Sequence, residues 1–493
     1  MSHEMVSTTA SSHQVPSTAR MAASYTQLDA LQCEYIIPGQ TESSREISRW
    51  SDTKIYRPAL IVKPATEKDV QAAIRVAKAN GVTIVVAGGG HGTFVAVGSN
   101  TMYLDMVRFK NIQLDKEHGT VTVGGGVVTG ELLRSLAGEG YYTPLPNSNA
   151  VGVVGCVLGG GNTPLNGLHG WMADNVVSIR LVASEGPVIE LGPHSKGKDA
   201  ELFGALCGAG HGLGVITAMA VSAYPFSSLE MMEDKVWTRT LIFPEAAINT
   251  AAQAFLELLS PLPEANFVLT FMRSPPGTPA AGSPTIILGG TYFGPAEQAE
   301  KGSAVMFRED IVGKTLRETT EMVPMANLNN RFEPLNAHGG HKSIASCRLK
   351  QTSLDTIKTT FEQWVSVIKD HPDARRSVVA IGAFDSKRQE GHGRDRTGVS
   401  KFLEARDRNI TATAFASCDE VGTLPVMTGF LDDLMVGFRK GDEHKPPRSF
   451  PNNLRFGMSL DELFNRDKLE DLRRVKHVWD PNNVFWCPYK ASH

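Results

Sequence analysis

The sequence predicts an α+β protein built from two domains. Its 493 residues exceed the roughly 250–300 residues at which a single hydrophobic core stops growing, so two cores are expected. Its 41% hydrophobic and 20% charged residues are ordinary for a globular chain and exclude collagen-like, coiled-coil and wholly disordered architectures. From about Leu229 onward, strand and helix patterns alternate at a spacing typical of an antiparallel sheet covered by helices on one face.

The first patterned block contains a strand, a helix and a second strand. Residues 60–62 form a short apolar run that predicts a strand. Thr66 and Asp69 have the spacing of a capping box, apolar residues then recur at helical spacing, and Gly81 stands where a glycine commonly ends a helix. The β-branched run at residues 82–86 predicts a buried second strand.

A glycine-rich turn, residues 88–92 (GGGHG), directly follows that strand. Glycines let a ligand approach the backbone closely and leave several N–H groups able to bind an anion. A Rossmann or P-loop turn opens a helix, but the residues after this turn have no helical period. Glycines 208, 210 and 214 follow a helical pattern and precede a strand, which reverses the Rossmann order. The ordinary NAD-binding fold is therefore disfavoured.

A second dense glycine cluster spans residues 152–161, where glycines are interleaved with valine, leucine and Cys156. Ordering so many glycines costs conformational entropy, which something large lying against the backbone would offset. A flat ring system is a natural candidate for that ligand. Strands are predicted after this cluster at residues 176–183 and 188–191.

The second half of the chain supplies the predicted antiparallel sheet. The segment 389–396 (QEGHGRDR) is polar and contains glycine, which predicts an exposed loop. Near the C-terminus, residues 467–478 carry a helical apolar stripe and residues 484–486 resemble a short strand. The other predicted elements are strands at 236–243, 267–272, 285–293, 343–349, 378–384 and 410–416, and helices at 244–259, 295–307 and 353–368.

Composition narrows the possible partners and the compartment. The formal net charge of −3 gives no basic face for nucleic acid. The six cysteines are scattered singly, so neither a metal site nor a disulfide framework is expected. We expect residues 1–26, rich in Ser and Thr, to form a flexible tail without a secretion signal. No apolar run of about 18 residues is apparent, so we expect a cytoplasmic protein that does not span a membrane. The oligomeric state stays open.

Four segments, residues 58–91, 151–161, 199–217 and 476–485, together resemble the FAD-linked oxidoreductases of the berberine-bridge-enzyme and 6-hydroxynicotine-oxidase kind, within the vanillyl-alcohol-oxidase superfamily. Each segment alone is a weak signal, but the ordered set covers essentially the chain from Pro58 onward. The resemblance implies a two-part PCMH-type FAD-binding domain over residues 27–228 and 446–493. It also implies an inserted substrate-binding domain over residues 229–445.

The resemblance further implies FAD as the cofactor, with one covalent bond from His91 to the 8α carbon of the flavin ring. Some members add a second bond from a cysteine, but the matching position here is Ser148, so a single bond is expected. A basic residue often precedes the loop in this family, and Ala87 stands there instead. The other cofactor contacts implied are Gly88, Gly89, Gly90, Gly92, Thr93, Gly98, Asn147, Ser148, Val151, Gly152, Gly155, Gly160, Gly161, Asp174, Gly214, Val215, Ile216 and Asn452.

The implied reaction is oxidation of a small organic substrate, such as a secondary metabolite, by hydride transfer to flavin N5, with O₂ as the final acceptor. A base that removes the accompanying proton would ease this step. The family often places a tyrosine two residues before an asparagine near the C-terminus, but here Phe450 precedes Asn452. The candidate catalytic residues are Asn452 and, from the inserted domain, His338, His341 and Tyr292. The two histidines are of most interest, because a neutral imidazole accepts a proton at physiological pH.

Two alternatives stay open at this point. One is a non-redox cyclase, in which bound FAD forms a wall of the pocket and takes no electrons. The other is a scaffold that kept the fold without a cofactor, which the entropic cost of the glycine clusters disfavours.

Overall fold

The computed structural model describes residues 33–38, 47–274, 280–394, 399–443 and 445–489, without the side chains of residues 393 and 394. The expected flexible tail of residues 1–26 lies outside the described residues. The helices and strands of the N-terminal half are β1 (Glu34–Ile36), β2 (Leu60–Lys63), α1 (Glu67–Asn80), β3 (Thr83–Ala87), β4 (Thr101–Asp105), β5 (Ile112–Asp115), β6 (Thr120–Gly124), α2 (Thr129–Gly138), β7 (Tyr141–Tyr142), α3 (Val153–Leu158), α4 (Asn166–His169), β8 (Val176–Val182), β9 (Val188–Leu191), α5 (Lys198–Ala209), β10 (Val215–Ser222) and β11 (Tyr224–Pro225).

Two sheets organise this half. The first has the order β1-β2-β4-β3, with β4 parallel to both β2 and β3, and the second is antiparallel with the order β5-β6-β10-β8-β9. Helix α1 begins at the predicted capping box of Thr66 and Asp69 and ends at Gly81, whose φ of 63° is left-handed. The loop after β3 opens no helix, so a Rossmann arrangement is absent from this sheet, as predicted.

The second half of the chain forms one larger sheet with helices on it. Its elements, followed by the last helix of the chain, are β12 (Lys235–Pro244), α6 (Ile248–Glu257), β13 (Ala265–Arg273), β14 (Pro284–Tyr292), α7 (Ala296–Gly302), α8 (Glu309–Val312), β15 (Arg317–Pro324), β16 (His341–Leu349), α9 (Leu354–Asp370), β17 (Val378–Phe384), α10 (Lys387–Arg394), β18 (Ile410–Cys418), α11 (Leu424–Phe438) and α12 (Arg466–Trp479).

The larger sheet has seven antiparallel strands in the order β15-β12-β14-β13-β17-β18-β16. Successive side chains of a strand point to opposite faces of a sheet. Phe267, Leu269 and Phe271 of β13 therefore share one face, and they lie in the apolar core beneath α6, α9 and α11. Val268 and Thr270 lie on the other face and are half-buried. The predicted α+β architecture, with helices covering one face of an antiparallel sheet, is confirmed.

One helix of this domain is more apolar than the sequence analysis expected. The stretch Val421–Phe438, which includes α11, has a mean hydropathy of 1.2 and by length and composition could cross a membrane; it is the single such helix in the described part of the chain. This stretch corrects the prediction that no such apolar run exists. In the fold, Phe430, Leu431 and Leu434 are buried and the helix packs against α9, β16 and β18.

The C-terminal residues return to the first sheet. After α12, Phe485 forms a parallel bridge with Ile84 of β3, and the N–H of Ile84 donates to the Val484 carbonyl at 2.7 Å. Lys476 holds this return, since its buried ammonium donates to the carbonyls of Gly212 and Phe485. The first sheet of the N-terminal half is therefore joined by residues that follow the large sheet in the sequence.

The prediction of an exposed loop at residues 389–396 is wrong for its first part, because α10 is helical through Arg394. The physical reason is tertiary: Gln389 is fully buried, beside the backbone carbonyl of Arg408 at 3.5 Å. Residues 395–398 lie outside the described residues.

Candidate active site

Two glycine loops meet through their backbones at the centre of the N-terminal half. A side-chain Cβ on Gly89 would lie 2.4 Å from the Gly152 nitrogen and 2.5 Å from the Ala150 oxygen. Real Cβ atoms do not approach so closely, so only glycine fits at this crossing. The loop that carries His91 is therefore fixed against the second glycine cluster by main-chain contact.

His91 follows this crossing and has one ring nitrogen without a partner. Its ring stacks on Trp50, with centroids 5.3 Å apart and 13° between the planes, and meets the ring of His338 edge-on at 6.2 Å. Burial and, to a smaller extent, the charges of His338, Arg49 and Lys342 together lower the pKa of His91 to about 3. The imidazole is therefore neutral at physiological pH. Its buried Nε2 makes no hydrogen bond in the structure.

A lysine of the large sheet supports the residue on which His91 stacks. Lys342 of β16 is buried, and its Nζ lies 4.9 Å from the centroid of the Trp50 ring. The ammonium donates to the carbonyls of Trp50, Ala337 and Gly339 at 2.6–2.7 Å. Burial lowers the pKa of Lys342 to about 8, with Arg376 contributing in the same direction. This lysine joins the two halves of the chain directly behind His91.

The second glycine cluster presents an open backbone surface. Gly155 lies within α3 and is exposed, and a Cβ placed there would meet no atom within 4 Å. The end of α3 is fastened by Asn452, whose Oδ1 accepts from the Gly161 N–H and whose Nδ2 donates to the Cys156 carbonyl, both at 2.9 Å. The cluster is thus held rigid at one end while the surface at Gly155 remains accessible.

The face of the large sheet that helices do not cover forms a neutral wall. At the two ends of β16 it touches the N-terminal half, through Lys342 beside Trp50 and Arg348 beside Trp171. Its half-buried residues between these ends include no acid, base, thiol or phenol, whereas Arg317 and Glu321 lie exposed on the β15 edge of the same face. Among the half-buried residues are Thr240, Ile242, Val268, Thr270, Ile287, Gly289, Ile344, Ala380, Gly382, Thr413 and Phe415.

These residues fit a large flat cofactor. The neutral imidazole of His91 has a buried nitrogen available for a bond, and the glycine crossing beside it leaves only main chain to contact a ring system. Within the described ranges, no group of three or more His, Cys, Asp or Glu side chains is placed to hold a metal ion. The donor set at this site therefore suits an organic cofactor better than a metal.

Comparison with known proteins identifies that cofactor. Residues 58–192 match the family model described as an FAD binding domain. Across 482 residues, covering 94% of this chain and 98% of the relative, the sequence is 26% identical to the FAD-linked oxidoreductase hasG of Aspergillus fumigatus. The chain is thus similar to FAD-linked oxidoreductases along nearly its whole length. Curated relatives of the same description recur, for example tazL of Aspergillus terreus at 26% identity over 91% of this chain and 89% of the relative.

The fold of this chain is shared with solved structures. A berberine-bridge-enzyme-like protein of Physcomitrella patens superposes with a TM-score of 0.78 at 20% identity, over 95% of this chain and 99% of that one. The 6-hydroxy-D-nicotine oxidase of Arthrobacter nicotinovorans gives 0.76 at 19% identity, over 94% and 98%. The α+β fold with a PCMH-type FAD-binding domain is therefore confirmed, as is the resemblance stated from the sequence.

The structure places most of the predicted cofactor residues around the two glycine loops. Gly88, Gly89 and Gly152 meet in the crossing. Asn147 is exposed and Ser148 is half-buried, with the Ser148 hydroxyl donating to Asn336 Oδ1 at 2.6 Å. The remaining members near these loops are Gly90, Gly92, Thr93, Gly98, Val151, Gly155, Gly160 and Gly161, while Gly214, Val215 and Ile216 lead into β10. Their contacts with FAD stay predictions.

The Asp174 carboxylate is bonded to other protein groups. Its carboxylate is fully buried and accepts from both Nη atoms of Arg406, at 2.9 and 3.0 Å, from the Ser400 hydroxyl and from the Trp171 N–H. Because protein groups occupy both oxygens, the geometry makes Asp174 a link between the two halves. It gives no support to the prediction that Asp174 contacts the cofactor.

The four candidate catalytic residues do not converge. Tyr292 lies on the helix-covered face, where its hydroxyl donates to Gln298 Oε1 at 3.0 Å, and His341 shares that face by strand parity. Both side-chain amide atoms of Asn452 form hydrogen bonds with the backbone, at Cys156 and Gly161. His338 alone approaches His91, and its Nδ1 lies 3.0 Å from the Ser48 hydroxyl. The geometry thus counts against Tyr292 and His341 as groups facing the neutral wall.

Sequence reasoning missed Trp50, Lys342, Trp171 and Arg348. The signal for the two cations was present in β16, where Lys342 and Arg348 occupy the same face as Ile344 and Ser346. Isolated cations in an otherwise apolar or small-residue strand indicate specific partners, because burying an unpaired charge is costly.

Proposed function

We propose that this protein is an FAD-linked oxidoreductase that carries FAD on a single covalent bond to His91 and oxidises a small organic substrate of secondary metabolism, with O₂ as electron acceptor. The observation that carries this proposal is the neutral, stacked imidazole of His91 with its unpartnered buried Nε2. A neutral imidazole nitrogen is nucleophilic, whereas a protonated one is not, so the low pKa keeps the group ready to bond.

FAD bound beside His91 would supply the redox chemistry, namely acceptance of a hydride from an alcohol, amine or activated C–H carbon and reoxidation by O₂ with release of hydrogen peroxide. The chain supplies position and exclusion of water. Stacking on Trp50 fixes the plane of the His91 ring, and the main-chain contact between Gly89 and Gly152 fixes the position of its loop. The neutral face of the large sheet provides an apolar, hydroxyl-bearing wall for the substrate.

A direct test mixes the purified yellow holoenzyme with a panel of aromatic alcohols, amines and phenolic acids, first without O₂ and then in air. Oxidation predicts that at least one compound bleaches the flavin absorbance anaerobically and produces hydrogen peroxide in air. His91→Ala protein, reconstituted with free FAD, is the matched control for the contribution of the covalent bond. A colourless preparation that stays colourless in excess FAD would contradict the proposal.

A non-redox cyclase is a second candidate, and one observation favours it. The half-buried part of the wall contains no side chain that accepts a proton at neutral pH, which an oxidation with proton removal would use, and the one carboxylate of β15 on this face, Glu321, is exposed at its edge. In that case the FAD would shape the pocket without changing its oxidation state. Turnover of a compound with no bleaching in the anaerobic experiment, and no peroxide in air, would favour cyclisation over oxidation.

A further inference from the structure

Arg348 is a fully buried cation that forms no ion pair with a carboxylate in the part of the chain that the structure describes. It lies on β16 and is 1% exposed. Its guanidinium carbon lies 5.2 Å from the ring centroid of Trp171 and 4.9 Å from that of Phe384. It occupies the same sheet face as the neutral wall, at the end where the wall meets the N-terminal half. Two aromatic rings stabilise this charge, but an aromatic face does not replace an acceptor for its N–H donors.

Several donors at this end of the wall have no acceptor. Arg348 Nη2 donates to the Arg408 carbonyl and, at 3.4 Å, to Gln389 Oε1. Arg348 Nε and Nη1 are buried without a partner, as are Arg408 Nε and Trp171 Nε1. Thr411, directly opposite Arg348 in β18, likewise has a buried hydroxyl without a partner. Buried polar groups in folded proteins are normally paired, so this cluster of donors indicates a missing acceptor.

No carboxylate of the described residues forms an ion pair with Arg348. Both oxygens of the buried Asp174 are already used by Arg406, Ser400 and the Trp171 N–H. Asp407 and the buried Asp442 act on Arg348 and Arg408 only through longer-range attraction. Burial lowers the pKa of Arg348 to about 9, with Arg408 and Arg406 acting in the same direction. Desolvating a guanidinium without an anion is costly, and a bound anion would offset that cost.

The surroundings also indicate the shape of the ligand. Phe450 contacts Trp171 edge-on, with centroids 5.6 Å apart. The N–H of Phe450 also donates to Ser346, two residues before Arg348 on the same face of β16. Aromatic rings therefore surround the cation where the wall ends. A carboxylate attached to an aromatic or similarly flat apolar body matches both the donors and the rings.

We propose that the Arg348 cluster, comprising Arg348, Arg408, Trp171 and Thr411, binds the carboxylate of an aromatic acid substrate and orients it along the neutral wall. This inference rests on the proposed function, because it assigns the substrate class of the same site. A free inorganic oxyanion shares the carboxylate's chemistry, so the test separates these two sources.

The experiment uses yellow holoenzyme in a buffer without carboxylate, phosphate or sulfate. Binding of benzoate, phenylacetate and cinnamate is measured by calorimetry and by thermal shift, beside the matched amides and sodium sulfate. Wild type is expected to bind at least one acid and none of the amides. Arg348→Met is expected to weaken that binding by about tenfold or more, which corresponds to losing one hydrogen bond to a charged group.

Arg239→Met is the matched control. Arg239 is buried in the same domain, but its guanidinium is satisfied by the Met306 carbonyl, Thr320 and Glu318. We expect Arg239→Met to lower Tm and leave acid binding unchanged. Arg348→Met, which removes an uncompensated buried charge, should keep or raise Tm in anion-free buffer. If Arg348→Met does not fold, Arg348→Lys is used, and it should bind the acid more weakly than wild type.

Three outcomes would overturn the inference. They are equal binding of acid by wild type and a folded Arg348 variant, equal binding of acids and amides, and a response to sulfate with none to any acid. Failure here stays distinct from failure of the proposed function, because the flavin colour of the same samples reports the latter separately.

Discussion

The ring of Trp50 lies 5.3 Å from that of His91 and only 13° from parallel to it, although the two residues sit on different segments. Trp50 is held in turn from the large sheet, since its Nε1 donates to the Leu335 carbonyl at 2.8 Å and Lys342 lies over its ring. The orientation of the imidazole that would carry the cofactor therefore depends on Leu335 and Lys342, from the second half of the chain. Cofactor attachment and packing of the two halves should respond together to changes here.

Replacing Trp50 tests this dependence. Trp50→Ala removes the stacked ring and leaves a cavity, which should cost about 3–5 kcal/mol of folding free energy and lower the fraction of flavin bound covalently. Trp50→Phe keeps a ring and should retain most of the covalent flavin. The fraction is measured as yellow colour that stays with acid-precipitated protein. Equal covalent fractions in all three proteins would contradict a role for the stack.

Gly155 tests where the cofactor lies. An alanine Cβ there would meet no protein atom, and alanine favours a helix by about 0.5–1 kcal/mol over glycine. Gly155→Ala should therefore leave the apoprotein as stable as wild type or more so, yet reduce FAD occupancy if the ring system lies on α3. Gly138→Ala, also helical and open, is the control with unchanged occupancy. Full FAD occupancy in Gly155→Ala would place the cofactor away from this surface.

Three histidines should make the protein sensitive to mild acid. Burial lowers the pKa of His91 to about 3 and that of His169 and His211 to about 4. The unfolded chain takes up these protons near pH 6.5, whereas the folded chain resists them, so stability present at pH 7 falls as pH drops from about 6.5 towards 4. Each histidine contributes a slope of up to about 1.4 kcal/mol per pH unit.

Urea unfolding at pH 7, 6 and 5 measures that slope. His211→Gln should flatten it, because its buried imidazole is replaced by a group that does not titrate. His194→Gln, at an exposed position, should leave it unchanged. The same slope in wild type and His211→Gln would show that His211 does not resist protonation in the fold.

The buried pair of Asp174 and Arg406 should hold the two halves together. Arg406 is 10% exposed and Asp174 is fully buried, so Asp174→Asn leaves a buried guanidinium without its carboxylate. Breaking a buried pair from one side typically costs about 3–5 kcal/mol. Thermal unfolding should show a clear drop in Tm, while Glu139→Gln, which breaks an exposed pair with Lys116, should not. Similar effects for both variants would contradict this role of Asp174.

The parts of the fold that sequence reasoning predicted are those fixed by local chemistry. The capping box of Thr66 and Asp69 and the left-handed Gly81 specify α1 within one stretch of chain, and the structure confirms both ends. Strands 188–191 and 378–384 were predicted with their observed bounds. The segment α10 was not, because its helix depends on burial of Gln389 against residues far along the chain.

The candidate site likewise combines residues that a local sequence pattern marks with residues that only the assembled fold brings together. His91 was assigned from the resemblance of its glycine loop and three further segments to a known family, and its bond to FAD stays a prediction. The Asn452 contact with Gly161 joins residues 291 positions apart, and no local pattern announces it. Strand periodicity separates Tyr292 from Thr291, but only the assembled sheet shows that helices cover the face of Tyr292. The partners of Lys342 and Arg348, the rings of Trp50 and Trp171, are likewise evident only in the assembled structure.

The most direct measurement of the central claim is denaturation of the purified yellow protein in acid, followed by separation of precipitate and supernatant. Attachment of FAD through His91 predicts that the colour stays with the wild-type precipitate and leaves with the supernatant for His91→Ala. Colour released equally by wild type and His91→Ala would contradict it.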